Sequence, residues 1–219
     1  MAIEPDKAAI STLSKQGFGL AANPSGTGSR LYLAAALPGE EVSYHLRTKK
    51  AGVLWDVACQ VENPSPHRVA PKCASAPGNL PCEHSLSLCG GCTLQHLNYP
   101  EQLQLKHQRL VELFAARELY PDRWEEPLAG EPFGYRHQAR IGVHRVAKKN
   151  RLLVGFRENL SNRITDTARC EVLLPQVGHL LEELASCLSS MDIAKQIAQI
   201  EVAGGDKGTS INTHFCGLI

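Results

Sequence analysis

Three thiols fall within eleven residues of this chain, in the stretch from Cys82 to Cys92 that reads CEHSLSLCGGC. Six residues separate Cys82 from Cys89, and two separate Cys89 from Cys92. A fourth thiol, Cys170, follows after 77 more residues, in DTARCEVLLPQ. Thiolates are soft ligands, and four of them suit either zinc or an iron–sulfur cluster. Structural zinc sites usually show two short knuckles. Here there is one knuckle, a third thiol just upstream and a fourth far away, and this three-plus-one layout favours a cluster. Zinc is the second reading, and plain buried or redox-active thiols the third. Gly90 and Gly91 remove side-chain bulk so that the backbone can turn tightly around one bound object. A thioredoxin-like CxxC would open a helix after a strand, and Gly-Gly at that place argues against it. Cys73 is a rival for the first ligand position; Cys82 is preferred because it keeps three thiols compact.

The second feature with chemical content is a run of positive charge. Between residues 136 and 163 there are eight Lys or Arg (136, 140, 145, 148, 149, 151, 157 and 163) against one acid, Glu158, a local charge of about +7 in a chain whose formal net charge is +1. From Arg136 the residues alternate, with Arg136, Gln138, Arg140 and His144 on one side and Ala139, Ile141 and Val143 on the other. A basic face on a hairpin, opposite an apolar face, suits a polyanion. Arg136, Arg140, Lys148, Lys149 and Arg157 are the candidate polyanion contacts. The competing reading is a solvated charged face.

Composition bounds what these features can belong to. The chain has 219 residues, 43% of them hydrophobic, enough for one or two domains with real cores. No run of eighteen apolar residues exists, which argues against a membrane-spanning helix. The N-terminus MAIEPDKAAISTLSK lacks the basic start and apolar core of a secretory signal. Eight cysteines without such a signal read as reduced thiols in the cytoplasm rather than a disulfide framework.

The elements that would position these groups follow in order. Residues 1–70 carry short apolar runs (30–36, 41–48, 53–61) punctuated by Gly and Pro, the pattern of a small β-barrel. Cys59, among strand-like residues, reads as core. Residues 63–82 form a Pro- and Ser-rich connector. NYPEQLQLKHQRLVELFAAREL reads as a packing helix, with Asn98 as its cap, Pro100 in its first turn and an apolar stripe of Leu103, Leu110, Val111, Leu113 and Phe114. After the basic hairpin, Pro175 begins a helix, PQVGHLLEELASCLSS, with Val177, Leu180, Leu181, Leu184 and Leu188 on one side and Cys187 read as core. Residues 198–202 look like a strand. His84, His96, His107, His137 and His179 have no spacing that makes a ligand set.

Taken together these residues resemble the N-terminal part of the iron–sulfur branch of the RNA uracil-C5 methyltransferase family, which acts on 23S ribosomal RNA. LSKQGFGLA, AALPGEEV and SPHRVAPKC are similar to the family's TRAM domain, a small OB-like RNA-binding barrel. CGGCTLQH resembles its cluster loop. GYRHQARIGV, VGFRENLSNRITD and CEVLLPQ resemble its central domain. The resemblance extends to about Gly208. It implies an α+β chain with a TRAM-like barrel at 1–70, a cluster loop at 71–98 and a mixed α/β central domain at 99–219, with a [4Fe–4S] cluster on Cys82, Cys89, Cys92 and Cys170. The implied partner is ribosomal RNA, with no membrane and no DNA, for a monomeric cytoplasmic protein.

In the family, S-adenosylmethionine and the catalytic cysteine and carboxylate belong to a C-terminal domain whose motifs are not found here. No catalytic or donor-binding residue is therefore expected in this chain. The family usually places five residues between the first two cluster cysteines; here there are six. Two rival readings remain: a free-standing metal-dependent RNA-binding module, and an iron–sulfur redox sensor.

Overall fold

The computed structural model describes residues 5–22, 30–45, 48–50, 53–73, 75–76, 89–146, 151–159, 161–205 and 208–215. Cys82, Lys148 and Lys149 lie outside the described residues. The chain divides into two compact units, one made of Met1–Pro71 with Thr93–Gly130, the other of Lys72–Cys92 with Glu131–Ile219. No helix among the described residues is long and apolar enough to cross a membrane.

The first unit is built from short strands. β2 (Thr12–Leu13), β3 (Gly19–Ala22), β4 (Arg30–Ala34), β6 (Thr48–Lys50) and β7 (Val53–Val57) form a sheet in the order β2-β3-β4-β7-β6. β1 (Asp6–Ala9), β5 (Glu41–Tyr44) and β8 (Gln60–Val61) form a second, with β5 in the centre. Period-two burial explains the strands: Leu31 and Leu33 of β4 are fully buried while Tyr32 between them is half-buried. The expected barrel is corrected here. β5 pairs with β1 and β8, whereas β4 pairs with β7 in parallel, so the turn after β4 carries the chain from one sheet into the other. Among the described residues no ladder joins the two sheets into a closed barrel.

That turn is pinned by an internal ion pair. Glu40, 1% exposed, takes both Nε and Nη2 of Arg68 at 2.6 Å, and accepts from the backbone N–H groups of Leu37 and Ser65. Arg68 Nη2 also donates to the Ala35 carbonyl at 2.7 Å. α1 (Tyr99–Ala115) belongs to the same unit. The Asn98 side chain accepts from the Glu101 N–H at 3.0 Å and Pro100 sits in the first turn, as the sequence predicts. The packing stripe is less covered than expected. No α1 residue is fully buried, and Leu110 and Leu113 are 43% and 47% exposed. Trp124 lies edge-on against the rings of His107 and Phe114.

The second unit holds a four-stranded antiparallel sheet in the order β10-β9-β11-β12, formed by β9 (Gln138–Val146), β10 (Arg151–Gly155), β11 (Ile197–Gly205) and β12 (Gly208–Phe215). The β9–β10 hairpin stands where the alternation placed it. Ile141 and Val143 are buried, while Gln138, Arg140 and His144 are exposed. β12 was not legible: polar residues occupy most of it, and its ladder with β11 runs to the pair Gly205 and Gly208.

The helix expected from Pro175 is two pieces, α2 (Pro175–Gly178) and α3 (Leu181–Ser189). The break has a cause. The Gly178 carbonyl accepts the Cys170 N–H at 2.8 Å, and a Cβ on Gly178 would stand 2.2 Å from the Cys170 carbonyl oxygen. Docking against Cys170 therefore fixes the chain at Gly178. Leu180 falls in the break, 49% exposed, and leaves the apolar side. Cys187, expected in the core, is exposed; Leu181 and Leu188, seven residues apart, take the buried stripe of α3 instead. Cys59, expected in the core, is half-buried.

Candidate functional site

The cysteines of the second unit are placed by three segments. Cys170 lies in the main core, beside Val172, Leu173 and Val177, and Cys92 packs against the same core. Cys89 is held from several sides. Its N–H donates to the Ser75 carbonyl at 3.1 Å, its carbonyl accepts from Asn159 Nδ2 at 3.4 Å, and its sulfur accepts the Gly91 N–H at 3.4 Å. The next residue, Gly90, donates its N–H to the Arg157 carbonyl at 2.8 Å. Cys73 heads a turn in which its carbonyl accepts the Ala76 N–H at 3.1 Å. Because Ser75 in that turn binds Cys89, the Cys73 segment is drawn to the knuckle.

Cys73, Cys89 and Cys170 are buried and Cys92 is half-buried. Burial pushes the Cys89 thiol up to about 12, and the nearby Cys92, Cys73 and Cys170 push the same way against the hydrogen bond from Gly91. Burial also raises Cys73, with Cys170, Cys92 and Glu171 adding to it and the Ser75 N–H opposing. Cys92 and Cys170 thus lie within electrostatic reach of both Cys73 and Cys89 and disfavour their ionisation. Among the described residues, no three Cys, His, Asp or Glu groups converge tightly enough to clasp a single metal ion.

The basic residues separate into different settings. Arg140 is exposed on β9, where its Nε meets Glu201 Oε1 of β11 at 2.7 Å, so the acid from the neighbouring strand offsets part of the local charge. Arg136 precedes β9 and is half-buried, its guanidinium 5.7 Å from the Phe156 ring centre. Phe156 in turn packs over Gly91, which places Arg136 against the cysteine loop rather than in the exposed row of β9. Arg157 is exposed and donates Nη1 to the Asn162 carbonyl at 3.0 Å. Arg145 and Arg163, counted in the basic run but not singled out from sequence, line a common cleft with Arg157 and His144. Only the ladder and the 157–164 loop bring them together, so spacing along the chain could not show it.

Two sheet-rich units with few helices, a buried group of thiols and an arginine-lined hairpin make up an α+β chain. The sequence comparisons point to one family: this chain is similar to RNA uracil-C5 methyltransferases. It is 40% identical over 210 residues to the 23S rRNA (uracil(1939)-C(5))-methyltransferase RlmD of Nitrosococcus oceani, and 38% identical over 208 residues to that of Alcanivorax borkumensis. These matches cover 95% and 94% of this chain but 44% of each relative, so the chain spans less than half the length of the curated relatives it matches. No protein-family profile matches it. Among solved structures, Pyrococcus abyssi tRNA (uracil-54, C5)-methyltransferase, in complex with S-adenosyl-L-homocysteine, shares the fold. Its TM-score is 0.60 and its identity 22%, covering 95% of this chain and 45% of that one.

Proposed function

We propose that this chain is the RNA-binding, cluster-carrying portion of an S-adenosylmethionine-dependent methyltransferase that acts on C5 of a uridine in 23S ribosomal RNA. The observation that carries this is the buried group Cys73, Cys89, Cys92 and Cys170, in a chain that matches the rRNA-modifying relatives along nearly its whole length. Neutral thiols need no such gathering, whereas four thiolates in a low-dielectric site demand a cation. A [4Fe–4S] cluster suits the donor set. Cys73, Cys89, Cys92 and Cys170 would hold it, and a polynuclear centre would not require four sulfurs to converge on a single ion.

Cys89, Cys92 and Cys170 are three of the proposed ligands. The sequence alone prefers Cys82 as the fourth; the burial of Cys73 beside the other three favours Cys73. The cluster's part is architectural: it ties the knuckle to the core at Cys170 and to the 73–76 turn. Arg140, Arg157 and the hairpin residues Lys148 and Lys149 are proposed to contact RNA phosphates, and Arg136 to hold the ring that abuts the knuckle. No residue of this chain is assigned to methyl transfer.

The test is binding of the anaerobically purified chain to a transcript of the 23S rRNA segment against a scrambled transcript of equal length. Tighter binding to the rRNA segment, weakening as salt rises, is the expected result. Equal, weak binding to both would overturn the reading.

A further inference from the structure

The arginines of the second unit do more than make a basic surface: three of them border one concave site. Val143, His144 and Arg145 of β9, the 157–164 loop and Ile197 at the start of β11 enclose a cleft of about 710 Å³. Arg145, Arg157 and Arg163 are all exposed, while Val143, Ile164 and Ile197 are buried. The cleft therefore has a cationic rim over an apolar floor, and among the described residues no carboxylate belongs to its lining.

The one acid of this stretch is removed from the rim by the loop's own bonding. Glu158 is 8% exposed; its N–H donates to the Arg163 carbonyl at 2.9 Å, and its carboxylate accepts the Ser161 hydroxyl. Ser161 Oγ in turn accepts the Arg163 N–H at 3.0 Å. The loop thus spends its acid on an internal strut and leaves its guanidinium groups facing outward. Planar, permanently charged guanidinium groups are the side chains best matched to phosphate oxygens.

We infer that this cleft holds unpaired nucleotides of a single-stranded RNA segment, with phosphodiester oxygens on Arg145, Arg157 and Arg163 and a base over the floor beside His144. A duplex presents a convex backbone too broad for such a pocket, whereas splayed nucleotides enter concave sites and use both kinds of surface. This rests on the RNA-binding reading and deepens it, because it names the form of RNA taken and adds Arg145, Arg163 and His144 to the contacts.

The test uses the anaerobically purified chain and a fluorescent single-stranded RNA of about ten nucleotides, a length within the site sizes of such proteins, titrated at several salt concentrations. The double variant Arg145→Gln/Arg163→Gln should bind at least about tenfold more weakly, with a salt slope shallower by about 1.4, as expected for two lost phosphate contacts. Arg123→Gln, an exposed arginine of the other unit, should bind as the unaltered chain does. In the unaltered chain, the RNA should also slow phenylglyoxal modification of Arg145, Arg157 and Arg163, a readout that needs no variant to fold. Unchanged affinity and slope in the double variant, with no protection of these arginines, would overturn the cleft assignment while the RNA-binding reading stands. Failure of the unaltered chain to bind any RNA would overturn both.

Discussion

The N–H of Gly90 meets the carbonyl oxygen of Arg157 at 2.8 Å, and this bond, with that from Asn159 Nδ2 to the Cys89 carbonyl, joins the cysteine knuckle to the arginine cleft. A short bridge between Cys89 and Glu158 runs beside it. Whatever fixes the knuckle therefore fixes the strand end from which Arg157 projects.

Replacing Gly90 tests that junction. A Cβ there would stand 2.6 Å from the Arg157 carbonyl oxygen, so Gly90→Ala must push the two segments apart at a cost of roughly 1–3 kcal/mol. Thermal unfolding should show the loss, and RNA affinity should fall with it although no cationic group has been removed. A variant as stable as the parent, with the same affinity, would show that the knuckle and the cleft are mechanically independent.

Thiol reactivity should follow burial. Cys187 is exposed, whereas Cys73, Cys89 and Cys170 are buried. Iodoacetamide should alkylate Cys187 first in the folded chain, and the buried three only after unfolding or loss of a bound metal. Mass spectrometry of peptides from a time course checks this.

Acid should destabilise the first unit in two stages. His96 is fully buried, and neither ring nitrogen has a hydrogen-bond partner among the described residues. Burial and then the Arg68 charge lower its pKa to about 4, against weaker opposition from Glu40 and the Ala36 carbonyl. The unfolded chain binds the proton near the ordinary value of about 6.5. Stability is therefore complete above pH 6.5 and declines as pH falls toward 4, by about 3 kcal/mol. Burial works to raise the Glu40 carboxyl, but the hydrogen bonds from Arg68, Ser65 and Leu37 outweigh it and hold it below the ordinary value of 4.5. Its contribution is lost at lower pH still. Urea unfolding at a series of pH values should show the first decline, and His96→Leu should flatten it between pH 6.5 and 4 while leaving the lower one.

The hairpin, α1 with its cap, and the knuckle were legible in the sequence because each is written locally: alternation for β9, Asn98 and Pro100 for α1, CGGC for the knuckle. What escaped is set at a distance. The closed barrel failed because nothing local says that β4 pairs in parallel with β7. The break between α2 and α3 depends on Gly178 fitting under Cys170, eight residues upstream in sequence. Glu201 reaches Arg140 only across a ladder, and β12 hides behind polar residues. The nearness of Cys73 to Cys89 rests on the Ser75–Cys89 hydrogen bond, which spacing along the chain does not show, and Cys82 lies outside the described residues.

The central claim is a polynuclear iron centre held by cysteines from both ends of this unit's sequence. Iron and acid-labile sulfide, measured with the visible spectrum on anaerobically purified chain, test it most directly in the parent and in Cys73→Ser, Cys82→Ser and Cys170→Ser. The account predicts about four irons and four sulfides per chain in the parent and in Cys82→Ser, and marked loss of both in Cys73→Ser and Cys170→Ser. A parent chain that carries zinc or no metal, or a Cys170→Ser variant that keeps its full iron and sulfide, would contradict it.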